Sequence, residues 1–188
     1  YCFLQLWTYS HPEFGMGCKS FEEGIKLSNE FKDLNVAITG ADGGIGQELS
    51  RHVGKLGAKI FAIDKNSSVT DFTNVLSKEN ISAIPFICDI ADAKAIKKGF
   101  LDFSTNHGEI DILINLNGYF GLARPGIFLH KPAPVQVNYL GFPGTLGSSM
   151  ADYLIADNIV IPEAARQLFL EKIVYLPNSY QPNDNLSI

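Results

Sequence analysis

The sequence predicts an α/β fold, an open and mostly parallel sheet with helices on both faces, and three observations carry that expectation. Short apolar runs alternate with stretches of helical periodicity from Leu34 to Asn115. A glycine loop, Thr39-Gly40-Ala41-Asp42-Gly43-Gly44-Ile45-Gly46, separates the first such run from the first helical stretch. The 188 residues are 46% hydrophobic and 19% charged, enough apolar material for one globular core.

Each element follows in order. Residues 35–39 are a short β-rich run, and 47–56 read as a helix that Gly57 ends. Residues 59–63 form a second strand ending in Asp64, followed by a helix over 71–79. A third strand, 83–88, ends in Asp89, and a helix over 92–103 leads to a fourth strand, 110–114, ending at Asn115. Strands this apolar, joined by helices of this length, imply right-handed crossovers and a sheet covered on both sides, a Rossmann-like arrangement. After Gly118 the composition shifts. Pro125, Gly126, Pro132, Pro134 and Pro143 interrupt any helix, yet 135–140 reads as another buried strand, with 152–156 and 172–176 as further candidates. Between the last two, Pro162 at a first-turn position and the alanines after it favour a helix over 162–170. Residues 1–33 form an N-terminal extension without an interpretable motif, in which 21–31 has near-helical apolar spacing.

Several function classes are excluded or disfavoured. A net charge of −5 with no Lys/Arg cluster argues against a nucleic-acid surface. The apolar opening, residues 1–7, is too short to cross a bilayer and lacks a basic flank, so no membrane or targeting role is expected. Cys2, Cys18 and Cys88 are widely spaced and odd in number, which gives neither a disulfide framework nor a metal pair and suits a reducing cytoplasm. No metal site is expected. The absent initiator Met and the ending at Leu186-Ser187-Ile188 suggest a piece of a longer protein.

The glycine loop carries the clearest chemistry. A diphosphate is best met by main-chain N–H groups at a helix N-terminus, where small residues allow close approach and the helix dipole is positive. Gly40, Gly44 and Gly46 suit those roles, with Asp42, Gly43 and Ile45 in the same loop. Asp64, at the end of the second strand, is placed to accept hydrogen bonds from the hydroxyls of an adenosine ribose and to repel a 2′-phosphate, so NAD is favoured over NADP. Asp89 and Ile90 close the third strand near the expected adenine. Taken alone, either aspartate is better read as a strand-end turn residue; together with the loop they shift the balance toward binding.

From about 34 to 117 the chain resembles the N-terminal half of the short-chain dehydrogenase/reductase family. The resemblance rests on Thr39-Gly40-x-x-x-Gly44-Ile45-Gly46, Asp64, Asp89-Ile90 and the run Gly108-Glu109-Ile110-Asp111-Ile112-Leu113-Ile114-Asn115. It implies an NAD(P)-binding half, with Asn115 and Gly118 contributing where the family has Asn-Asn-Ala-Gly; here the run is Asn115-Leu116-Asn117-Gly118. The resemblance also implies a catalytic Tyr-x-x-x-Lys pair, in which lysine lowers the tyrosine pKa for proton exchange. Tyr119, Tyr139, Tyr153, Tyr175 and Tyr180 are followed four positions on by Ala123, Pro143, Asp157, Ser179 and Asp184. The pair is missing, an intact oxidoreductase is disfavoured, and no catalytic residue is assigned.

From about 107 to 184 the chain is similar to a second family, the SPINDLY-like protein O-linked N-acetylglucosamine transferases of glycosyltransferase family 41. The residues are Ile112-Leu113-Ile114-Asn115-Leu116-Asn117-Gly118-Tyr119, Ala123-Arg124-Pro125, and the run from Lys131-Pro132-Ala133-Pro134 through Gly141-Phe142-Pro143-Gly144-Thr145-Leu146-Gly147. Asp152-Tyr153-Leu154-Ile155-Ala156-Asp157 and Glu171-Lys172-Ile173-Val174-Tyr175-Leu176-Pro177 extend it. This resemblance implies a protein acceptor and a UDP-N-acetylglucosamine donor, the donor held mainly by a second lobe beyond Ile188. The turn 140–147 is read equally as a ligand contact at the carboxyl edge or as a structural turn. Arg124 could meet a phosphate but suits a surface position, and His107 and His130 read as linker and loop residues.

The two resemblances meet in the strand 110–115, which suits both. The sequence is therefore expected to be composite or truncated: residues 34–117 a dinucleotide-binding half, and 118–188 a transferase-like segment completing the sheet. A nucleotide-binding module without complete catalysis is the leading expectation, a transferase fragment its alternative, and an NAD-dependent oxidoreductase the third.

Overall fold

The computed structural model describes residues 30–117, 124–177 and 179–181. Seven strands form one sheet: β1 (Asn35–Thr39), β2 (Lys59–Asp64), β3 (Ala83–Ile87), β4 (Ile112–Asn115), β5 (Val135–Asn138), β6 (Tyr153–Asp157) and β7 (Lys172–Leu176). Their spatial order is β3-β2-β1-β4-β5-β6-β7, and every neighbouring pair is parallel. The Rossmann-like α/β expectation is met, with three strands after Gly118 completing the four before it.

Parallel neighbours need crossovers, and the first three are α-helices: α1 (Gly44–Lys55), α2 (Val69–Lys78) and α3 (Ala93–His107). Strand order reverses between β1 and β4. Right-handed crossovers then put α1 and α2 on one face and α3 on the other. Val53 and Leu56 beside α1's end, with Phe72 and Leu76 of α2, pack on Val36, Ile38, Ile60 and Ile114. Ile96, Phe100 and Phe103 of α3 pack on Ala37, Phe61, Ile63 and Leu113 across the sheet. On that second face Phe61 stacks on Phe86 at 5.4 Å and meets Phe103 at 4.4 Å.

Local chemistry explains the helix ends. The Asp92 carboxylate accepts the amides of Lys94 and Ala95, capping α3. Asn80, in the left-handed region at φ 61°, ends α2. Beyond β4 the crossovers are different in kind: 3-10 turns at Pro125–His130 and Glu163–Leu168. The helix expected over 162–170 is thus a correction. Only Ala165 and the following Phe169 reach the β6–β7 cluster, none of the six 3-10 residues is fully buried and Leu168 is exposed, so little burial is available to offset the nucleation of an α-helix. The expected strand 135–140 stops at Asn138, because Leu140 and Gly141 both turn to positive φ.

Of the extension, the expected helix 21–31 lies almost wholly outside the described residues. Phe31 is 1% exposed within the core, its amide on the Leu56 carbonyl at 3.0 Å. Among the described residues no helix is long and apolar enough to cross a membrane.

Candidate functional site

The carboxyl ends of β1 to β5 enclose a cleft of about 630 Å³. It runs from Asp89 and Ile90, beyond β3, to Leu140, beyond β5, with the glycine loop in its middle. This is the crevice at the strand-order reversal, where open α/β sheets take ligands.

The loop is built tightly. Gly40 holds φ at 67°, and its carbonyl accepts the Gly43 amide at 3.1 Å. The Ala41 amide reaches back to the Ile63 carbonyl at 3.2 Å, tying the loop to β2. Gly46 lies against the loop so closely that a Cβ there would overlap the Gly40 carbonyl and Ala41 Cα, whereas a Cβ on Gly44 would meet open space. Helix α1 already starts at Gly44, and no side chain caps it at Gly43. The amides of Gly44, Ile45 and Gly46 therefore have no acceptor within the helix and stand at its positive end.

Asp64, 9% exposed, braces this loop: Oδ2 accepts the Asp42 amide at 3.2 Å and Oδ1 the Asn66 amide at 3.0 Å. The Gln47 Nε2 donates to the Asp42 carbonyl at 3.0 Å, and the Ser68 hydroxyl donates to the Asp42 carboxylate. Cys88 lines the cleft with a thiol pushed up by burial and by the charges of Asp92 and Asp89, which keeps it protonated and unreactive.

Nine of the eleven residues singled out from sequence line this one cleft: Gly40, Asp42, Gly43, Gly44, Ile45, Gly46, Asp64, Asp89 and Ile90. Asn115 does not. It is fully buried beneath, accepting the Thr39 hydroxyl at 2.7 Å. Gly118 lies outside the described residues. Sequence reasoning did not select Lys65, Asn66, Cys88, Leu116 or Asn117, which also line the cleft, while Arg124, weighed as a phosphate contact, and Leu140, in the turn weighed as a ligand contact, do line it. The missed residues sit within a few positions of a strand's carboxyl end, and that placement was the one available signal.

The turn after β5 splits between the two sheet edges. Leu140 lines the cleft, but the Leu146 amide and Thr145 hydroxyl bond to the Glu171 carboxylate at 2.6 and 2.7 Å. Glu171 immediately precedes β7, so this half of the turn sits at the amino edge, away from the cleft. His107, the last residue of α3, likewise sits at the amino edge: its ring is 5.1 Å from Phe103 and its carbonyl accepts Asn35 Nδ2. His130 is exposed at the end of its 3-10 turn. Among the described residues no group of three or more His, Cys, Asp or Glu side chains is arranged to hold a metal.

Fold and cleft define a Rossmann-like α/β domain with a crevice at its carboxyl edge, and comparison with known proteins narrows this to a family. The family model of glycosyl transferase family 41 matches residues 61–187, and the chain belongs to that family. Over 178 residues, 91% of the chain, it is 35% identical to the probable UDP-N-acetylglucosamine–peptide N-acetylglucosaminyltransferase SEC of Arabidopsis thaliana, of which it covers 18%. It is 37% identical over 126 residues to the UDP-N-acetylglucosamine–peptide N-acetylglucosaminyltransferase of Caenorhabditis elegans, covering 63% of this chain and 10% of that protein. The chain thus spans less than a fifth of the length of these curated relatives.

Solved structures of a transferase and of a dehydrogenase both share the fold. An O-GlcNAc transferase mutant of Thermobaculum terrenum superposes with a TM-score of 0.57 at 23% identity, over 83% of this chain and 30% of that one. The 2-keto-3-deoxy-D-gluconate dehydrogenase of Streptococcus agalactiae gives 0.55 at 23% identity, over 68% of this chain and 58% of that one.

Proposed function

We propose that this chain is part of the catalytic region of a protein O-GlcNAc transferase, contributing a Rossmann-like lobe to an enzyme that moves N-acetylglucosamine from UDP-N-acetylglucosamine to a protein acceptor. One observation carries this reading above the composite one. The family match begins in β2 and runs without a break through β4, where the two resemblances meet, to the end of β7. The front half from β2 onward is thus matched to the same family as the back, and the transferase alternative is favoured over a dehydrogenase half joined to a foreign segment. The division into 34–117 and 118–188 then becomes a boundary of motif style inside one sheet. Turnover by the chain alone is not expected, because it spans less than a fifth of the length of the relatives it matches.

The test is a segment exchange. The chain replaces the matching segment of the Arabidopsis relative, and transfer from UDP-N-acetylglucosamine to a protein acceptor is measured beside the chain alone. Transfer by the exchanged protein and none by the chain is the expected result. A folded exchanged protein without transfer overturns the reading.

A second reading is favoured by the uncapped start of α1 together with Asp64 in the same cleft. In it the loop Gly40–Gly46 holds the diphosphate of a dinucleotide, NAD before NADP, with Asp42, Asp89 and Ile90 on the adenosine side. Without a Tyr-x-x-x-Lys pair this is binding and not hydride transfer. Calorimetric titration with NADH tests it: saturable binding that weakens in Asp64→Ala supports it, and no saturation removes it.

A further inference from the structure

The turn that leaves β5 holds two consecutive residues in the left-handed region, Leu140 at φ 61° and Gly141 at 69°. Glycine adopts that region freely, but a leucine side chain crowds its own backbone there. Such a residue persists only where its neighbours hold it, and it gathers at functional sites. Leu140 is also a wall of the cleft, at the end beyond β5. What holds it is the residue before it.

Tyr139 is fastened at both ends. Its amide donates to the Asn115 carbonyl at 3.0 Å, which ties its backbone to the end of β4. Its ring packs against the core on the α1 face, and its hydroxyl donates to the Tyr180 carbonyl at 3.0 Å. Tyr180 is held from the other side, its amide donating to Asp157 Oδ2 at 2.8 Å. Asp157 is 4% exposed, and its Oδ1 accepts the amides of Ile159 and Val160 at 2.9 and 2.8 Å. Those two bonds already close the turn after β6. The third reaches 23 residues along the chain and serves Tyr180 alone. The Ser179 hydroxyl donates to the Gln181 carbonyl at 3.1 Å and keeps this short segment folded on itself. Residues 179–181 are thus a strap from the end of β6 to the end of β5, with Tyr180 giving its N–H to one side and its carbonyl to the other.

We infer that Tyr139 is a positioning residue: held by the strap at Tyr180, it keeps Leu140 in its left-handed conformation and so sets the β5 wall of the cleft for the proposed transfer reaction. The inference rests on that reaction being the role of this chain, and it places no ligand on the glycine loop. Removing the phenol oxygen cuts the link to the strap. Leu140 is then free to relax toward the ordinary negative-φ basins, which turns its side chain and the Gly141 peptide out of the wall. A glycine at position 140 has no such preference, so it does not need the link. Tyr139 therefore acts through the backbone of Leu140, and the two positions are coupled.

Two measurements test this coupling. On the full chain, amide hydrogen exchange at Leu140 and Gly141 is expected to quicken about tenfold in Tyr139→Phe, the scale of one lost hydrogen bond, and to stay unchanged in α1. In the Arabidopsis relative carrying this chain, Tyr139→Phe is expected to lower kcat/KM for transfer from UDP-N-acetylglucosamine about tenfold, but less than about twofold when Leu140→Gly is already present. If circular dichroism shows the Leu140→Gly variant unfolded, Leu140→Asn takes its place, since asparagine also tolerates the left-handed region. An equal loss in both backgrounds marks a structural role and overturns the inference. So does transfer indifferent to Tyr139→Phe, or hydrogen exchange that does not change; each leaves the proposed function standing. A folded chimera that shows no transfer before any substitution overturns the proposed function, and this inference with it.

Discussion

The crossovers on the two sides of β4 achieve the same parallel sheet by different physics. Before β4, α1, α2 and α3 lay apolar faces on the sheet, and Phe61, Phe72, Leu76, Ile96 and Phe103 are buried between the layers. After β5, 3-10 turns and loops are stapled by carboxylates. Asp152 Oδ2 accepts the Gln136 amide, Asp157 accepts the amides of Ile159, Val160 and Tyr180, and Glu171 holds Thr145 and Leu146. Burial is non-directional and tolerant of small shifts, whereas each staple depends on one charged group. The front is therefore expected to fail by cavities or overlaps and the back by loss of single hydrogen-bonded carboxylates.

The largest effect should come from the front. Phe61→Ala empties the cluster with Phe86, Phe100 and Phe103, and a loss of about 3–5 kcal/mol in chemical denaturation is expected. A loss below about 1 kcal/mol would mean that the aromatic layer does not hold α3. Next, Gly46→Val forces a side chain into the Gly40 carbonyl and should cost about 1–3 kcal/mol, with loss of whatever the cleft binds. In the back, Glu171→Ala removes two hydrogen bonds to a carboxylate 4% exposed, with about 2–3 kcal/mol expected. Hydrogen exchange should then rise at Thr145 to Gly147 and stay unchanged in α1; uniform exchange would erase the distinction between the regions.

A smaller effect is set by pH. The amides of Val160 and Tyr180, and more weakly that of Ile159, hold the Asp157 carboxyl below its ordinary value of 3.8. A carboxylate with a lowered folded pKa contributes stability above its unfolded pKa and loses it as pH falls through the folded one. The back half should therefore loosen below about pH 4, before the front. Asp157→Asn should flatten that acid limb of the melting temperature, and an unchanged limb would assign acid sensitivity elsewhere. The smallest effect belongs to Gly44→Ala: its Cβ meets open space, so stability should shift by less than about 1 kcal/mol, in contrast with Gly46→Val two residues on.

The same asymmetry decided what could be read from the amino acids. In the front, Asn35–Thr39, Lys59–Asp64 and Ala83–Ile87 are short apolar strands separated by amphipathic helices, and period and turn chemistry locate them. The glycine loop was legible because close approach and positive φ leave few residues to choose from. In the back, proline and glycine mark turns without telling which sheet edge a turn returns to; Thr145 and Leu146 sit at the amino edge only because Glu171 bonds them there. The helix expected after Pro162 shortened to a 3-10 turn for a related reason, since propensity does not tell how little of the segment, Ala165 and Phe169, meets the sheet. Within the site, Asp64 was found by its strand-end position, but its two bonds to the Asp42 and Asn66 amides depend on a loop conformation that spacing does not encode.

Family membership rests on a match that crosses both regions, and the function proposed for it has front and back serving one transferase. Incorporation of labelled N-acetylglucosamine into a protein acceptor, by the Arabidopsis relative carrying this chain in place of its own segment, tests that most directly. The account predicts incorporation dependent on UDP-N-acetylglucosamine and lost with Gly46→Val, a lesion in the front half. Incorporation indifferent to a folded Gly46→Val, or none from a folded wild-type exchange, would contradict it.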